Sequence, residues 1–452
     1  MSICVEAPGP TLTARPPEAL PRLLAGIPAH GAMGLAQHLA LHGEPPAQPT
    51  PRARSESPLI GQLEDARLLG RGGGAFPTAH KLRAVASARR RAVVVINAAE
   101  GEPASRKDRT LMRSLPHLVL DGGQLAAAAL GGKEVIVCVC DSARAGARAA
   151  AEAIAERREL ADASRSARVA LVQGRYLAGQ ESALISYLNG GAARPTFTPP
   201  LPFEQGVGRR PTLVSNAETF AHLALIARHG ADWFRLLGTP SQPGSALVTL
   251  SGPVARPGVY EIEYGASLAS LIDAAGGATN GVRAALLGGY AGSWIAGDVL
   301  ATLTLSDEHL AGHGAALGAG VVLLLSEDAC PVAETARVAT WLAAQSSGQC
   351  GPCVFGLEAL AAAVATLAHG GALPAARQRL ARLGSLVRGR GACAHPDGAV
   401  KFILSAVEVF AAEFADHARH GSCEACTRPA ELPLPAVAGR AARASLPEVV
   451  HS

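Results

Sequence analysis

Short, fully apolar runs alternate with longer amphipathic stretches through the first half of the chain. The apolar runs fall at 92–96, 134–140 and 169–172, and the Ala-rich amphipathic stretches at 118–130 and 142–160. Strands that are apolar along their whole length, and that alternate with helices, are typical of a parallel sheet covered by helices on both faces. The pattern therefore predicts an α/β fold for this part of the chain.

A second pattern begins after residue 243. Short strands are predicted at 246–250, 284–287 and 320–325, and one short helix at 268–275, which together describe a small β-grasp-like unit. Because this unit contains no cluster of acids, bases or thiols, we expect it to be a structural spacer.

Strand signals disappear from residue 331 onward. Amphipathic stretches at 331–344, 354–369, 373–383 and 400–418 predict helices. Each of these helices is too short to be stable alone, so we expect them to pack together as a four-helix bundle.

The length of the chain agrees with several folded units, since 452 residues correspond to about two to four domains. We divide the chain into a variable lead-in (1–56), an α/β domain (57–243), a β-grasp domain (244–330), a helical domain (331–420) and a tail (421–452).

Composition excludes several classes of protein. The chain is 48% hydrophobic and 17% charged, and its net charge of +4 comes largely from scattered arginines without interleaved aromatics, which disfavours a nucleic-acid-binding protein. No signal peptide is evident, and no uncharged apolar run reaches the roughly 18–20 residues of a membrane span, so a cytoplasmic protein is expected. Nine cysteines in such a chain indicate metal or redox chemistry rather than a disulfide framework.

The first candidate site is a glycine-rich stretch from Gly70 to Thr78, followed by His80 and Lys81. Glycines occupy four of the five positions 70–74, which lets backbone N–H groups approach a bulky anion such as a phosphate. A flexible turn is the alternative interpretation. A highly charged segment, 97–109, follows the predicted strand 92–96, where an open α/β sheet places its ligand residues.

Two further polar segments, 176–184 and 206–219, place Glu181 and Asn216 near glycines. Taken singly, these residues are expected to cap helices.

A cysteine pattern marks the helical domain. Cys350 and Cys353 are separated by two residues on a Gly-Pro turn, and Cys393 follows about forty residues later. The spacing favours an iron–sulfur cluster, leaves open a zinc site that includes His395, and leaves open a pair of redox thiols.

The tail carries a second pair, Cys423 and Cys426, preceded by His417 and His420. For this pair the sequence favours two exposed thiols slightly over a second metal site.

Together these motifs, in this order, resemble the NADH-oxidising flavoprotein subunit of respiratory complex I and its relatives in NAD-linked hydrogenases and formate dehydrogenases. The resemblance covers residues from about 57 to 415. It rests on the glycine loop, the segment from Asn97, the segments 176–184 and 211–219, and the cysteine loop 346–356; the region 251–260 resembles the family's SLBB-type β-grasp domain.

The resemblance implies a Rossmann-like flavin-binding domain that binds FMN and NADH, and a helical domain that binds an iron–sulfur cluster. NAD(P)H would reduce the flavin, and electrons would pass through the cluster to a ferredoxin-like or membrane-associated partner subunit. The implied flavin-lining residues are Gly70, Arg71, Gly72, Gly73, Lys81, Asn97, Tyr176, Gly179, Glu181 and Asn216. Phe76 would face the adenine, and Glu100, the predicted catalytic residue, would lie near the NADH ribose and disfavour a 2′-phosphate.

The sequence departs from the family pattern at several positions. Ala99 stands in place of an aspartate, Leu82 in place of an aromatic residue, Gln180 in place of a glutamate, and Gly74-Ala75 inverts the usual order. An alternative function is therefore a ferredoxin-linked flavoprotein with little NADH activity, and another is a non-catalytic subunit that has lost its cofactors.

The largest departure is Ser347, which occupies the place of the first cluster cysteine. A serine hydroxyl is a poorer iron ligand than a thiolate. The implied ligands are thus Cys350, Cys353 and Cys393, which would hold a [3Fe-4S] cluster, or a [4Fe-4S] cluster completed by Ser347, water or a nearby histidine. The third outcome is no cluster, but the retained family spacing of the three cysteines favours a cluster.

Overall fold

The computed structural model describes residues 19–47, 54–88, 90–158, 166–370 and 373–435. The first domain is built on a four-stranded sheet with helices on both faces. Its strands are β1 (Val93–Ala98), β2 (Glu134–Cys140), β3 (Ser166–Val172) and β4 (Thr212–Asn216). The strand order is β3-β2-β1-β4 and every pairing is parallel, which confirms the predicted α/β architecture.

Eight helices accompany this sheet. They are α1 (Leu35–His42), α2 (Pro58–Asp65), α3 (Thr78–Ala86), α4 (Lys107–Ser114), α5 (Pro116–Ala129), α6 (Arg144–Arg157), α7 (Glu181–Leu188) and α8 (Ala217–Arg235). Helix α8 is not among the predicted elements. It is buried around most of its circumference, so its sequence lacks the polar stripe by which a surface helix is recognised.

The described part of the lead-in is fastened to the core. Leu23 and Leu24 are fully buried, and the backbone N–H groups of Arg22, Leu23 and Leu24 all donate to the Glu261 carboxylate at 2.8–3.1 Å. The lead-in thus joins the first domain to the β-grasp domain. Residues 1–18 and 48–53 of the predicted lead-in lie outside the described residues.

The β-grasp domain contains a five-stranded sheet of order β6-β5-β9-β7-β8. Its elements are β5 (Ser245–Ser251), β6 (Gly258–Glu263), α9 (Leu268–Ala274), β7 (Val282–Leu287), β8 (Ser293–Ala296), α10 (Asp307–Ala311) and β9 (Val321–Ser326). Only the β5–β9 pairing is parallel.

The third region is helical, as predicted, and consists of α11 (Pro331–Ala344), α12 (Leu357–Ala368), α13 (Leu373–Val387), α14 (His395–Val409) and α15 (Ala411–His420). The single helix predicted at 400–418 is therefore wrong in detail. The backbone leaves the helical region at Phe410 (φ −103°, ψ 34°), whose ring is buried in the core of this domain, so one amphipathic stretch forms two helices.

None of the helices in the described ranges is long and apolar enough to cross a membrane. The predicted tail begins after α15, and its residues 436–452 lie outside the described residues.

Candidate functional site

The glycine-rich stretch forms a closed loop between α2 and α3. The N–H of Gly70 donates to Phe76 O at 2.9 Å, and that of Thr78 donates to Leu68 O at 2.9 Å. Gly73 has a φ of 97°, which only glycine adopts without strain, and the loop residues 72–76 are exposed. The loop therefore presents backbone, rather than side chains, to the space above it.

This loop lies over the carboxyl edge of the sheet. A Cβ added at Gly72 would lie 3.5 Å from Asn216 Cβ, whereas one added at Gly74 would meet no atom within 4 Å. Asn216 is directly opposite Asn97, because the two occupy paired positions on β4 and β1. The open glycine backbone thus lies beside Asn216, which is paired with Asn97.

Asn97 connects this surface to the Tyr176–Leu184 segment. Its Nδ2 donates to Gly179 O at 2.7 Å, while its Oδ1 accepts from Ala99 N at 3.1 Å. A Cβ at position 179 would lie only 2.3 Å from Ala99 O, so this close approach requires glycine. The structure therefore brings three of the sequence motifs together at one edge.

Lys81 supplies a cation at the same edge. Its Nζ donates to Val214 O at 2.7 Å and lies 3.1 Å from a carboxylate oxygen of Glu181. Both side chains are about one third exposed, so the ammonium group is accessible from the loop side.

Arg71, by contrast, turns away from the loop. Its guanidinium is buried 4.7 Å from the Tyr264 ring centre and donates to Ser245 O, in the β-grasp domain. Only the backbone of Arg71 is left to contribute to the loop surface.

Below the loop lies a buried charged cluster that the sequence patterns did not predict. Lys107 Nζ lies 2.8 Å from Glu218 Oε2 and 3.1 Å from Asp108 Oδ1, and donates to Asn216 Oδ1 at 3.0 Å. Burial raises the pKa of Glu218, but the adjacent Lys107 outweighs this and lowers it to about 2. Lys107 thereby fixes the Asn216 side chain; its place in the charged segment 97–109 is the only sequence signal for this role.

Glu100, the predicted catalytic residue, caps a helix in this structure. Its carboxylate accepts from Ser105 Oγ at 2.5 Å and from the backbone N–H groups of Asp108 and Arg109 at 3.2 Å, at the start of α4. Burial, with the neighbouring Asp108 charge, raises its pKa. Both carboxylate oxygens are therefore engaged within the protein, and its role beside the NADH ribose stays a prediction.

Glu102 lies at the contact between the first domain and the β-grasp domain. Its carboxylate accepts from Tyr290 N at 2.9 Å, from Ala104 N at 3.2 Å and from Tyr176 Oη at 3.4 Å. Burial raises its pKa to about 7, despite these hydrogen bonds. The carboxyl group therefore titrates near neutral pH in the folded protein.

This shift predicts a pH-dependent stability that is specific to Glu102. The folded pKa of about 7 lies above the ordinary value of 4.5, so folding favours the protonated Glu102 carboxyl group. Its contribution to the free energy of unfolding is therefore complete below pH 4.5 and is lost as the pH rises through about 7. We expect the Glu102→Gln variant to lack this loss. Between pH 5 and 8, the free energy of unfolding should fall by about 2 kcal/mol more in the parent than in the variant.

Chemical denaturation at a series of pH values measures the difference. Glu152→Gln, which changes an exposed carboxylate on α6, is the matched control and should follow the parent profile. Parallel profiles for the parent and the Glu102 variant would contradict the assignment.

Tyr176 links the first domain to the helical domain. Its ring centre lies 5.2 Å from that of Trp341 and 5.4 Å from that of His395, both in edge-on geometry. Its N–H donates to Gln345 Oε1 at 3.4 Å. The predicted flavin-lining tyrosine thus contacts the segment that leads into the cysteine loop and the histidine that follows Cys393.

The cysteine loop begins where α11 ends. Cys353 is buried, Cys350 and Cys393 are half-buried, and Ser347 Oγ lies 4.0 Å from Cys353 Sγ. Burial raises the pKa of the Cys393 thiol, and the nearby Cys353 and Cys350 raise it further. The predicted ligand residues therefore lie in one region of the helical domain.

These residues fit an iron–sulfur cluster. Three thiols lie in this region, and a Cβ added at Gly348 or Gly351 would meet no atom within 4 Å, so the loop leaves open space. Two candidates exist for a fourth ligand. One is Ser347 Oγ; the other is Nδ1 of His395, a buried nitrogen without a hydrogen-bond partner among the described residues, in a ring whose pKa burial lowers to about 4.

The glycine loop likewise fits a flavin phosphate group. It offers exposed backbone at 72–74, the Lys81 ammonium at its edge, and the Asn97 and Asn216 amides beneath it. Leu82, at the position of the family's aromatic residue, is fully buried. Its side chain packs in the core of the first domain.

Comparisons with known proteins agree with this division. Three family models match: the Nuo51 FMN-binding domain at residues 63–225, the SLBB domain at 247–289, and the NADH-ubiquinone oxidoreductase-F iron-sulfur binding region at 333–417. A chain in the crystal structure of air-oxidised NAD⁺-reducing [NiFe]-hydrogenase superimposes with a TM-score of 0.73 at 32% identity, over 81% of this chain and 63% of that chain.

Curated relatives match over most of their length. The second F subunit of NADH-quinone oxidoreductase in Rhizobium meliloti is 31% identical over 378 residues, which are 81% of this chain and 90% of that protein. The F subunit of NADH-quinone oxidoreductase in Escherichia coli K12 is 30% identical, over 80% of this chain and 84% of that protein. The predicted FMN-binding, SLBB and iron–sulfur regions are thus confirmed, and the chain belongs to the family of NADH-quinone oxidoreductase F subunits, which are NADH dehydrogenase-like flavoproteins.

Proposed function

We propose that this chain oxidises NADH at a flavin held by the glycine loop and passes the electrons through a cluster at Cys350, Cys353 and Cys393 to a partner subunit. Bound FMN would supply an acceptor for a hydride, which is two electrons and a proton, from NADH, and a cluster held by the three cysteines would supply one-electron transfer to the partner. The residues of this chain bind and position these groups.

Each predicted residue has a task in this scheme. The backbone of 70–74 and the Lys81 ammonium hold the anionic end of the flavin, and Asn97, Gly179, Glu181 and Asn216 line it. Phe76, whose side chain is 57% exposed at the loop tip, is placed to face the adenine of the nucleotide. Glu100 holds the start of α4, and with it Lys107 and Asn216, in position.

The observation that carries the proposal is the position of Tyr176. One side chain connects the domain that would hold the flavin with the domain that would hold the cluster, because it donates to Glu102 in the first domain and packs against His395, two residues after Cys393. This contact supports electron transfer from the first domain to the cysteine loop.

We place the electron exit at Phe355, two residues after Cys353, whose side chain is 74% exposed. An apolar side chain beside the cluster is suited to contact a ferredoxin-like or membrane-associated electron-transfer subunit. A cytoplasmic location, expected from the sequence, is part of the same proposal.

An anaerobic titration tests the function. Protein purified without oxygen is expected to contain stoichiometric FMN, iron and sulfide, and its flavin absorbance should bleach on addition of NADH. A flavin that stays oxidised with NADH but is reduced by ferredoxin would contradict the donor and favour the ferredoxin-linked alternative. A preparation without flavin and iron would favour the non-catalytic alternative.

A further inference from the structure

The tail folds back onto the start of the helical domain and completes a group of four metal-ligating side chains. Cys423 and Cys426 lie beyond α15, His417 lies on α15, and Cys330 precedes α11. The donor atoms of these four residues all lie within 4.8 Å of one another. Cys330 is 87 residues from His417 in the chain, so only the fold reveals the complete group.

We propose that Cys330, His417, Cys423 and Cys426 form a tetrahedral zinc site that fastens the tail to the helical domain, separate from the iron–sulfur cluster. The distances between the donor atoms carry this assignment. Cys330 Sγ lies 3.4 Å from His417 Nε2 and 3.5 Å from Cys426 Sγ. Cys426 Sγ lies 3.7 Å from Cys423 Sγ and 3.9 Å from His417 Nε2.

These separations match the edges of one coordination tetrahedron. Zinc–sulfur bonds of about 2.3 Å and zinc–nitrogen bonds of about 2.0 Å imply roughly 3.8 Å between two sulfurs and roughly 3.6 Å between sulfur and nitrogen. They are far longer than a disulfide bond of about 2.05 Å. In a cluster of two or more irons the four ligands are divided between at least two metal ions, which needs some of the donor atoms to be more widely spaced, so the group has the size of a single-ion site.

The surroundings prepare the donors for a metal. His417 Nδ1 lies 3.1 Å from Ala368 O, so a proton on Nδ1 leaves the lone pair of Nε2 directed at the three sulfurs. The Cys330 side chain accepts from Ala333 N at 3.3 Å, at the N-terminus of α11, where a negative sulfur is stabilised by the helix dipole. Cys330 and His417 are both buried, as expected for a closed structural site.

Three thiolates and one imidazole are the ligand set of structural zinc sites. Zinc has no redox chemistry, which suits a position beside an electron path. Cys330, Cys423 and Cys426 also have no place in the proposed electron transfer.

The site has a clear structural task. Beyond Cys426 the tail runs along the seam between β9 and α11, where Glu431 accepts from Ser326 N at 3.0 Å and its own N–H donates to Glu334 at 2.7 Å. Leu432 is buried, and Pro433 O accepts from Tyr290 Oη at 2.7 Å. Tyr290 also contacts Glu102, so the metal anchors a segment that supports the contact between the domains.

Elemental analysis of the full chain tests the proposal. After dialysis against EDTA, the parent protein is expected to retain about one zinc per chain, in addition to the iron of its cluster. Cys423→Ala, which removes an exposed ligand, should lower the zinc content at least tenfold and leave FMN and iron unchanged. The controls are His420→Ala, which changes an exposed histidine on α15, and Cys138→Ala, which changes a buried cysteine on β2.

Alkylation followed by mass spectrometry provides a readout that does not depend on a variant. Cys423 and Cys426 of the native protein should resist iodoacetamide until a strong chelator or a mercurial removes the metal. Immediate labelling, a mass that shows a disulfide, iron in place of zinc, or undiminished zinc in the Cys423 variant would each overturn the proposal.

Discussion

Replacing Cys353 with alanine is expected to stop electrons from leaving the flavin without preventing their arrival. The Cys353 thiol is buried and its neighbours are Ser347, Cys350 and Cys393. Without this thiol, only two thiolates remain, which are too few to hold a cluster. The variant then has no carrier that takes single electrons from the flavin. We expect the reduction of a protein acceptor by NADH to fall by at least ~100-fold.

The same variant should keep its flavin. Because the glycine loop and the asparagines of the sheet edge make no contact with Cys353, FMN content and the bleaching of the flavin by NADH should equal those of the parent. Iron analysis, electron paramagnetic resonance of the reduced protein and stopped-flow absorbance separate the two steps. Cys138→Ala, buried on β2 away from the loop, is the control. Full iron content, or an unchanged rate of acceptor reduction, would contradict the assignment of Cys353.

Ser347→Cys is the matched change in the opposite direction. Its hydroxyl lies 4.0 Å from Cys353 Sγ, so a thiol at this position adds a fourth potential ligand to the same loop. Increased iron per chain and an altered paramagnetic signal would identify position 347 as the place of the missing fourth cluster ligand. An unchanged signal would favour His395, whose Nδ1 is the other unpartnered donor among the described residues at this site.

The sequence predicts those parts of the site whose residues are close together in the chain. The strand 134–140 and the helix 331–344 are predicted with the bounds observed, because each combines a strong periodic pattern with a clear boundary. The cysteine loop is predicted from the spacing of Cys350 and Cys353. The alignment of Asn97 with Asn216 is a further consequence of parallel pairing, which places both at the ends of neighbouring strands.

Contacts between distant segments are not predictable in this way. Nothing near Cys330 in the sequence connects it to Cys423, and nothing near Glu102 indicates that Tyr290 will cover it. Arg71 is a related case: its place in a loop motif indicates a ligand contact, but its side chain packs against Tyr264 in the β-grasp domain. In each case the partner residue depends on how the domains pack against each other, and a local sequence pattern contains no information about this packing.

Lys107→Met is expected to be the most destabilising single substitution at the flavin edge. The Lys107 ammonium is buried between Glu218 and Asp108, and it also donates to Asn216. Burial disfavours its charge, but the two carboxylates outweigh this and raise its pKa above the ordinary value. Removing the ammonium leaves the Asp108 carboxylate without this cation and Glu218 with only the more distant Arg71, at 3.9 Å, which costs about 3–5 kcal/mol in the free energy of unfolding.

A second substitution separates lost charge from lost packing. Glu218→Gln removes one carboxylate and keeps an oxygen for the hydrogen bond from Leu247 N, so the Lys107→Met/Glu218→Gln double variant should recover a large part of the lost stability. Lys133→Met, at an exposed lysine, is the control and should unfold like the parent. Chemical denaturation measures stability, and FMN fluorescence after filtration measures flavin affinity.

Flavin affinity should follow the position of Asn216 rather than stability alone. Lys107 orients the Asn216 amide, so we expect the double variant, although more stable than Lys107→Met, to bind FMN about tenfold less tightly than the parent, the effect of one lost hydrogen bond of roughly 1.4 kcal/mol. If the double variant regained the full flavin affinity, Lys107 would be a purely structural residue. If Lys107→Met unfolded like the parent, the buried cluster would not stabilise the fold at all.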